Sequence, residues 1–357
     1  MEAANLWVGL VSGLIGIVGG AYGFVRFVAP MLARHSPWIE RIYDQIFAVG
    51  EAEYRRRWRS AADRLNAAAT GQARLEGLMV DGMPLPERED HAVDRELDWL
   101  ADSTIAARAA AVRSNSSLSN KSHGLLIGKL SLVAEGAPLR FARTDFAVIC
   151  AAREFGKRPP ILSAGGIVFC PTDRTVLLQR RGEHVATYPQ SWHLLGGNYE
   201  PAIEHNDADD QYNEPLLRTA VREIDEESHL RTLNTRRAFV SCAEETMTGF
   251  VQFMLVGVAI SKARKSEVYG SREGAARFLS LEEIVTTFTR PPSADGVGGR
   301  WVPSGALHLA AWLAMGAPDQ NRQAPMRREA IAAFEALLPH LHKGFASVDG
   351  RALNPAP

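Results

Sequence analysis

Three glutamates carry the strongest chemical signal in the chain. Glu223, Glu226 and Glu227 stand at i, i+3 and i+4, a spacing that gathers them over one turn of a helix. Carboxylates so placed repel one another by about 0.2–0.5 kcal/mol per pair when left to water. A hard divalent cation reverses that sign, because carboxylate oxygens are the ligands Mg²⁺ and Mn²⁺ prefer, and Mg²⁺ bridges readily to phosphates. Upstream, Gly196-Gly197 leaves backbone free to approach an ion or a phosphate. The chemistry implied is metal-assisted attack of water on a phosphoanhydride, with one carboxylate helping to deprotonate the water. Taken alone, the same triplet suits a solvated helix face, so the neighbouring elements have to decide.

Those elements read as a compact α/β domain over residues 161–318. Asn213-Glu214-Pro215 is a helix start: a capping residue, an early carboxylate favoured by the dipole, and Pro in the first turn. Leu217, Val221 and Ile224 then recur at helical spacing and are expected to face the core, leaving the three glutamates as one acidic face. Residues 168–169 and 176–179 read as strands joined at Pro171-Thr172-Asp173-Arg174, with further strands at 239–242 and 250–260. Residues 281–288 and 307–315 carry helical spacing. In 326–341, Ile331, Phe334, Leu337, Leu338 and Leu341 mark an amphipathic C-terminal helix, in a final segment 319–357. Trp192 reads as a core residue.

The stretch from Trp192 to Leu230 resembles the Nudix box, Gly-x5-Glu-x7-Arg-Glu-U-x-Glu-Glu-x-Gly-U with U aliphatic. Arg222, Glu223, Ile224, Glu226, Glu227 and Leu230 fit, and Glu214 lies the required eight positions before Arg222. Gly165-Gly166-Ile167-Val168-Phe169, Val176-Leu177-Leu178-Gln179-Arg180-Arg181 and Trp192-His193-Leu194-Leu195-Gly196-Gly197 look like the family's lead-in. The resemblance implies a Nudix-type α/β/α sandwich with Glu223, Glu226, Glu227, Glu214 and the Gly197 carbonyl as metal ligands. It makes one glutamate a general base and has Arg222 orient carboxylates through a bidentate pair. Arg181, Gly196 and Gly197 would contact substrate, and Glu273 lies where some members place a base. Three features depart from the pattern. Glu214 follows Gly197 by 17 positions, an insert of about eleven residues; His229 replaces the box glycine; Leu195 stands where many members have proline. The insert, residues 201–213, holds Glu204, His205, Asp207, Asp209 and Asp210, and reads as a solvated loop.

The averages of the chain exclude other classes. Its 357 residues are 46% hydrophobic and 23% charged, which rules out a collagenous or wholly disordered chain. Forty basic against 41 acidic residues give a net charge of -1, so no duplex nucleic acid is expected as a partner. Three scattered cysteines, Cys150, Cys170 and Cys242, form no disulfide framework and are expected to pack as thiols.

The beginning of the chain is different in kind. Residues 6–25 contain no charge, and 20 residues of helix span about 30 Å. Met1-Glu2-Ala3-Ala4-Asn5 lacks the basic n-region of a cleaved signal, and six glycines suit a water-soluble helix poorly. A single transmembrane helix within residues 1–32 is therefore expected. Arg26, Arg34, Arg41 and Arg55-Arg56-Arg57-Trp58-Arg59 follow it, which puts the rest of the chain in the cytoplasm by the positive-inside bias. Gly9, Gly13, Gly16 and Gly20 share a helix face and could seat a second copy; glycines frequent in membrane helices generally explain them as well. Residues 33–113 read as a helical connector broken at Pro84-Leu85-Pro86, and 114–160 as a polar linker with accessory strands, or a strand and a short helix.

Two functions follow. The first is a membrane-anchored hydrolase of a nucleoside diphosphate linked to another moiety, using Mg²⁺ or Mn²⁺. The second is a nucleotide sensor with little or no turnover. For that reading, a membrane helix joined to such a domain is similar in architecture to the TM-Nudix effectors of bacterial antiphage signalling, which are thought to bind cyclic oligonucleotides.

Overall fold

The computed structural model describes residues 37–79, 82–88, 95–115, 122–185, 187–201, 216–231, 233–235, 239–290 and 299–347. The expected membrane span with its glycine stripe, Glu214 and all but the first residue of the 201–213 insert lie outside these. Among the described residues no helix is long and apolar enough to cross a membrane.

The chain divides into two compact units, residues 1–56 and 57–357. Helix α1 (Pro37–Ala68) runs through the boundary, and its first part is what is described of the first unit. In the second unit Trp58, Ala61, Ala62 and Leu65 bury one stripe of α1, and Arg64 forms a two-bonded ion pair with Glu335 at 2.7 Å.

The strands follow as β1 (Ala73–Met79), β2 (Pro86–Arg88), β3 (Ser122–Ile127), β4 (Leu139–Asp145), β5 (Leu162–Cys170) and β6 (Thr175–Arg181). After them come β7 (Trp192–His193), β8 (Leu195–Asn198), β9 (Phe239–Glu245), β10 (Val251–Ala259) and β11 (Gly274–Ser280). The helices are α2 (Ser103–Asn115), α3 (Leu130–Ala134), α4 (Phe146–Glu154), α5 (Leu216–Ser228), α6 (Leu281–Thr289), α7 (Pro303–Ala314) and α8 (Arg327–Leu337). The large sheet runs β1-β9-β10-β5-β6-β11, with β7 on β6 and β8 on β5; only the β5–β10 pairing is parallel. A small sheet, β2-β4-β3, adjoins it: the β3 Leu126 N–H donates to the Pro160 carbonyl at 2.8 Å and the Gly124 N–H to the Tyr199 carbonyl at 3.2 Å.

Alternation along β5 sends neighbours to opposite faces. Val168 shares a core cluster with Ile224 of α5, whereas Phe169 meets Trp312 of α7 edge-on at 5.0 Å. Helices therefore cover both faces of the large sheet. The small sheet closes its own core with α2 and α4, through Ile105, Ala109, Leu125, Ile127, Ile149 and Ala152. All three cysteines are buried free thiols.

Two local readings are corrected. Residues 73–79, read as part of a helical connector, form the edge strand β1 of the large sheet. Ala, Arg, Leu, Glu and Met are all good helix formers, but burying Ala73 and Leu75 against β9 while Arg74 stays exposed overrides propensity. The buried stripe of α5 is also turned by one residue from the expected one. Leu216, Ala220 and Ile224 are the fully buried apolar positions, while Leu217 and Val221 are half-buried. That turn carries Glu223 and Glu227 toward the protein and leaves only Glu226 in the open.

Candidate functional site

The three glutamates of α5 thus occupy three different environments. Glu227 is buried; its Oε2 accepts from the Gly196 N–H at 2.7 Å, and its Oε1 is buried with no hydrogen-bond partner in the protein. Glu223 is 8% exposed and pairs with Arg222 Nη1 at 2.9 Å. Glu226 is exposed, with the same Nη1 at 3.2 Å. The expected bidentate fork is absent: one nitrogen of Arg222 serves two carboxylates, and Nη2 is buried without a partner.

Burial drives the electrostatics. Desolvation lifts the Glu223 carboxyl to about 7 against the pull of Arg222, with Glu226, Glu200 and Glu273 adding to the rise. Desolvation also raises Glu227 well above the usual carboxylate range, opposed by its hydrogen bond from Gly196 and helped by Glu223. Both groups hold their protons to higher pH than a free carboxyl does unless a cation offsets their crowding.

Gly196-Gly197 owes its place to this crowding. On β8, paired against Ala164 and Gly165 of β5, a Cβ at Gly197 would sit 2.2 Å from Glu223 Oε2. At Gly196 it would come within 2.7 Å of the Gly165 Cα. The missing side chains let the acidic turn of α5 close onto the strand.

The acidic turn opens into a cavity of about 450 Å³, a size that holds a small-molecule ligand. Gly196, Gly197, Glu200, Glu223, Glu226 and Glu273 line it near α5. Arg181 lines it too, with Nε donating to the Thr187 carbonyl at 3.1 Å, and Arg272 stands beside Glu273. Arg181, Gly196, Gly197, Arg222, Glu223, Glu226 and Glu227 are therefore brought together, Glu273 joins them from the turn before β11, and Glu214 lies outside the described residues. Trp192 is fully buried, as its core reading expected. Glu200, Arg153, Gln252, Phe146 and Phe250 also line the cavity. Sequence reasoning passed them over; Glu200, three positions after Gly197, was the only one with a nearby motif to signal it.

The donor chemistry suits a hard divalent cation, since every candidate ligand is an oxygen and Glu227 Oε1 is buried and unsatisfied. The side chains do not converge as they stand. Among the described residues no group of three or more His, Cys, Asp or Glu is arranged to hold a metal ion, because Arg222 draws Glu223 and Glu226 to itself while Glu227 turns to Gly196.

The departure at His229 has a simple geometry. Its φ is +62°, the left-handed conformation in which glycine commonly ends a helix, and its N–H closes the turn on the Asp225 carbonyl at 2.7 Å. Histidine takes the glycine's conformation instead of changing the turn.

No family model matches the chain, and no curated protein matches it. Solved structures do. The chain is similar to a MutT protein of Methanosarcina mazei, at 23% identity over 36% of this chain and 83% of that one, TM-score 0.27. It is similar to a NUDIX hydrolase of Nitrosomonas europaea, at 18% identity over 44% and 73%, TM-score 0.24. A third similarity is to the NUDIX domain of Shewanella oneidensis NrtR, solved with ADP ribose, at 16% identity over 40% and 85%, TM-score 0.24. Each of these matches covers less than half of this chain.

Proposed function

We propose that the chain is a Nudix-type pyrophosphohydrolase that cleaves a nucleoside diphosphate linked to another moiety with the help of Mg²⁺ or Mn²⁺. The observation that carries this reading is the acidic turn of α5, seated on Gly196-Gly197 and opening into a cavity that also presents Arg181 and Arg272. Glu223, Glu226, Glu227 and the Gly197 carbonyl would hold the cation, with Glu214 as a further candidate. The bound ion supplies Lewis-acid stabilisation to the phosphoanhydride oxygens. Gly196 N–H fixes the Glu227 carboxylate, and Arg222 spans Glu223 and Glu226 so that both approach from one side. Glu226, the most exposed of the three, or the neighbouring Glu273 accepts the proton of the attacking water. Arg181 and Arg272 offset phosphate charge.

The uncharged run at residues 6–25 supports a single-pass anchor with this domain on the cytoplasmic side, and the glycine face of that run supports pairing of two copies in the bilayer. A second reading, a membrane effector that senses a cyclic oligonucleotide with little turnover, draws on one observation: Arg222 engages two of the three carboxylates a cation would need.

A panel of nucleotide sugars, ADP-ribose, dinucleoside polyphosphates, nucleoside triphosphates and cyclic oligonucleotides, incubated with Mg²⁺ and read by mass spectrometry, separates the two. Hydrolysis that falls by about 10²–10⁴ in Glu226→Gln supports the enzyme. Turnover no greater than that of Glu226→Gln, with tight retention of a cyclic nucleotide, supports the sensor.

A further inference from the structure

Two arginines stand beside the acidic turn, and they are held differently. Arg222 collapses onto Glu223 and Glu226. Arg181 also acts on the turn, its charge opposing the rise of Glu227, yet among the described residues it forms no ion pair. Its side chain has one hydrogen-bond partner there. Nε donates to the Thr187 carbonyl at 3.1 Å, and the two terminal nitrogens are left for the cavity that Arg181 lines. A guanidinium so near to carboxylates is drawn onto them unless another group holds it. Here the holding group is a backbone carbonyl, and that carbonyl belongs to a strained turn.

The turn comprises residues 187–191, between β6 and β7. Tyr188 has φ +53° and Gln190 φ +58°, a left-handed conformation that side chains with a Cβ disfavour. Pro189 follows Tyr188, and a residue before proline is pushed toward extended backbone as well. A bulky residue stays left-handed there only when its surroundings fix it. The fixing contact lies at the tip of the side chain. Tyr188 is buried, and its hydroxyl donates to Glu245 Oε2 at 3.0 Å. Glu245 is held in turn by Thr248 Oγ1 at 2.7 Å and by the Ser304 N–H at 3.3 Å. Backbone bonds tie the segment to the site: the Arg181 N–H donates to the Ser191 carbonyl at 2.9 Å, and the Gly182 N–H to the Glu273 carbonyl at 2.6 Å.

We infer that Tyr188 is a positioning residue for the proposed hydrolysis: anchored on Glu245, it holds the 187–191 turn so that the Thr187 carbonyl takes Arg181 Nε and leaves the rest of the guanidinium to a pyrophosphate group. Arginine suits this division because its donors form one rigid plane, so a bond at Nε orients the terminal pair. A carbonyl suits it too, since it fixes the cation without neutralising the charge that phosphate needs. Tyr188 itself touches no substrate phosphate; it acts through Arg181. The inference rests on the phosphoanhydride reading of the cavity.

Calorimetry on the full-length chain in millimolar Mg²⁺ tests it, with inorganic pyrophosphate as the probe. Arg181→Met should weaken binding about tenfold or more, through the loss of charge-assisted hydrogen bonds. Tyr188→Phe keeps the ring and leaves Glu245 its other donors; it should weaken binding about threefold or more. Added to Arg181→Met, it should cost nothing further, because its effect runs through that side chain. A tyrosine that only supported the fold would weaken both backgrounds alike. Pro189→Gly frees the same turn from an exposed position, so it carries the test if Tyr188→Phe fails to fold. It should lower affinity about twofold or more, again only where Arg181 is present. Wild-type affinity in any folded single variant, an equal loss with and without Arg181, or no binding by the unaltered chain would overturn the inference. Pyrophosphate binding that depends on Tyr188, with no turnover of any nucleotide, would keep the positioning role and remove the hydrolase. Turnover with pyrophosphate binding indifferent to Tyr188→Phe would do the reverse.

Discussion

At the acidic end of the cavity, Arg222, Glu223, Glu226 and Glu227 come from under two turns of one helix. In a more deeply buried part of the wall, its inner end, Arg153 of α4 and the Thr248 carbonyl it meets lie 95 positions apart. The acidic end is charged and keeps Glu226 in solvent. The inner end is buried, and behind it the fully buried Glu245 side chain accepts from Tyr188 Oη at 3.0 Å, Thr248 Oγ1 at 2.7 Å, and the Ser304 N–H and hydroxyl. The contrast separates chemistry that one helix can present by its own periodicity from a polar network that exists only after distant segments close around it.

Replacing one member of each end should therefore fail in different ways. Glu245→Ala leaves Tyr188, Thr248 and Ser304 donors unpaired inside the fold, so unfolding free energy should drop by about 3–5 kcal/mol, read by urea denaturation. A loss below about 1 kcal/mol would mean that the inner end is not held by this network. At the acidic end the expected balance is inverted. Gly197→Ala pushes a methyl group against the Glu223 carboxylate, which is the far end of a flexible side chain and can swing aside. Hydrolysis should fall by about 10²-fold while stability moves by less than about 1 kcal/mol. Equal damage to both quantities would erase the distinction between the ends.

The next test reads the charge difference directly. Glu223 in the fold sits at about 7 against 4.5 for the free side chain, and burial raises Glu227 well above 4.5 too, so the folded chain binds more protons than the unfolded chain across that interval. Stability contributed by these groups is present at low pH and is lost as pH rises through 4.5 toward 7, by about 3 kcal/mol for Glu223 alone. Thermal unfolding in EDTA should show this fall, Glu223→Gln should flatten it, and millimolar Mg²⁺ should restore stability mainly above pH 7. A wild-type slope identical to that of Glu223→Gln would contradict the assignment. The smallest effect is expected at His229→Gly. Relieving a left-handed histidine should raise stability by about 1 kcal/mol or less, a shift of roughly 2–4 °C in Tm at most, with hydrolysis unchanged.

Much of the acidic end was legible beforehand because it is local. Glu223, Glu226 and Glu227 needed only helical periodicity, and Gly196-Gly197 needed only its nearness in sequence. The detail that periodicity missed was rotational: Leu216, Ala220 and Ile224, not Leu217 and Val221, are the most deeply buried, and this difference buries two of the glutamates. The strand at 73–79 was illegible for the opposite reason. Its residues favour a helix, and the partner that makes it a strand, β9, begins at Phe239. Nothing near Arg153 in sequence marks it as a cavity residue; an arginine in an alanine-rich helix reads as a solvated charge until Phe250 and Thr248 are seen to enclose it.

From residue order alone came the uncharged run at 6–25, the acidic turn with its paired glycines, and the likeness to the Nudix box, all properties of neighbours spaced by a fixed period. Tertiary structure alone decided which carboxylates lose water, which of them Arg222 takes, and which remote side chains close the cavity. Burial is a property of what lies across the fold, and no spacing along the chain encodes it.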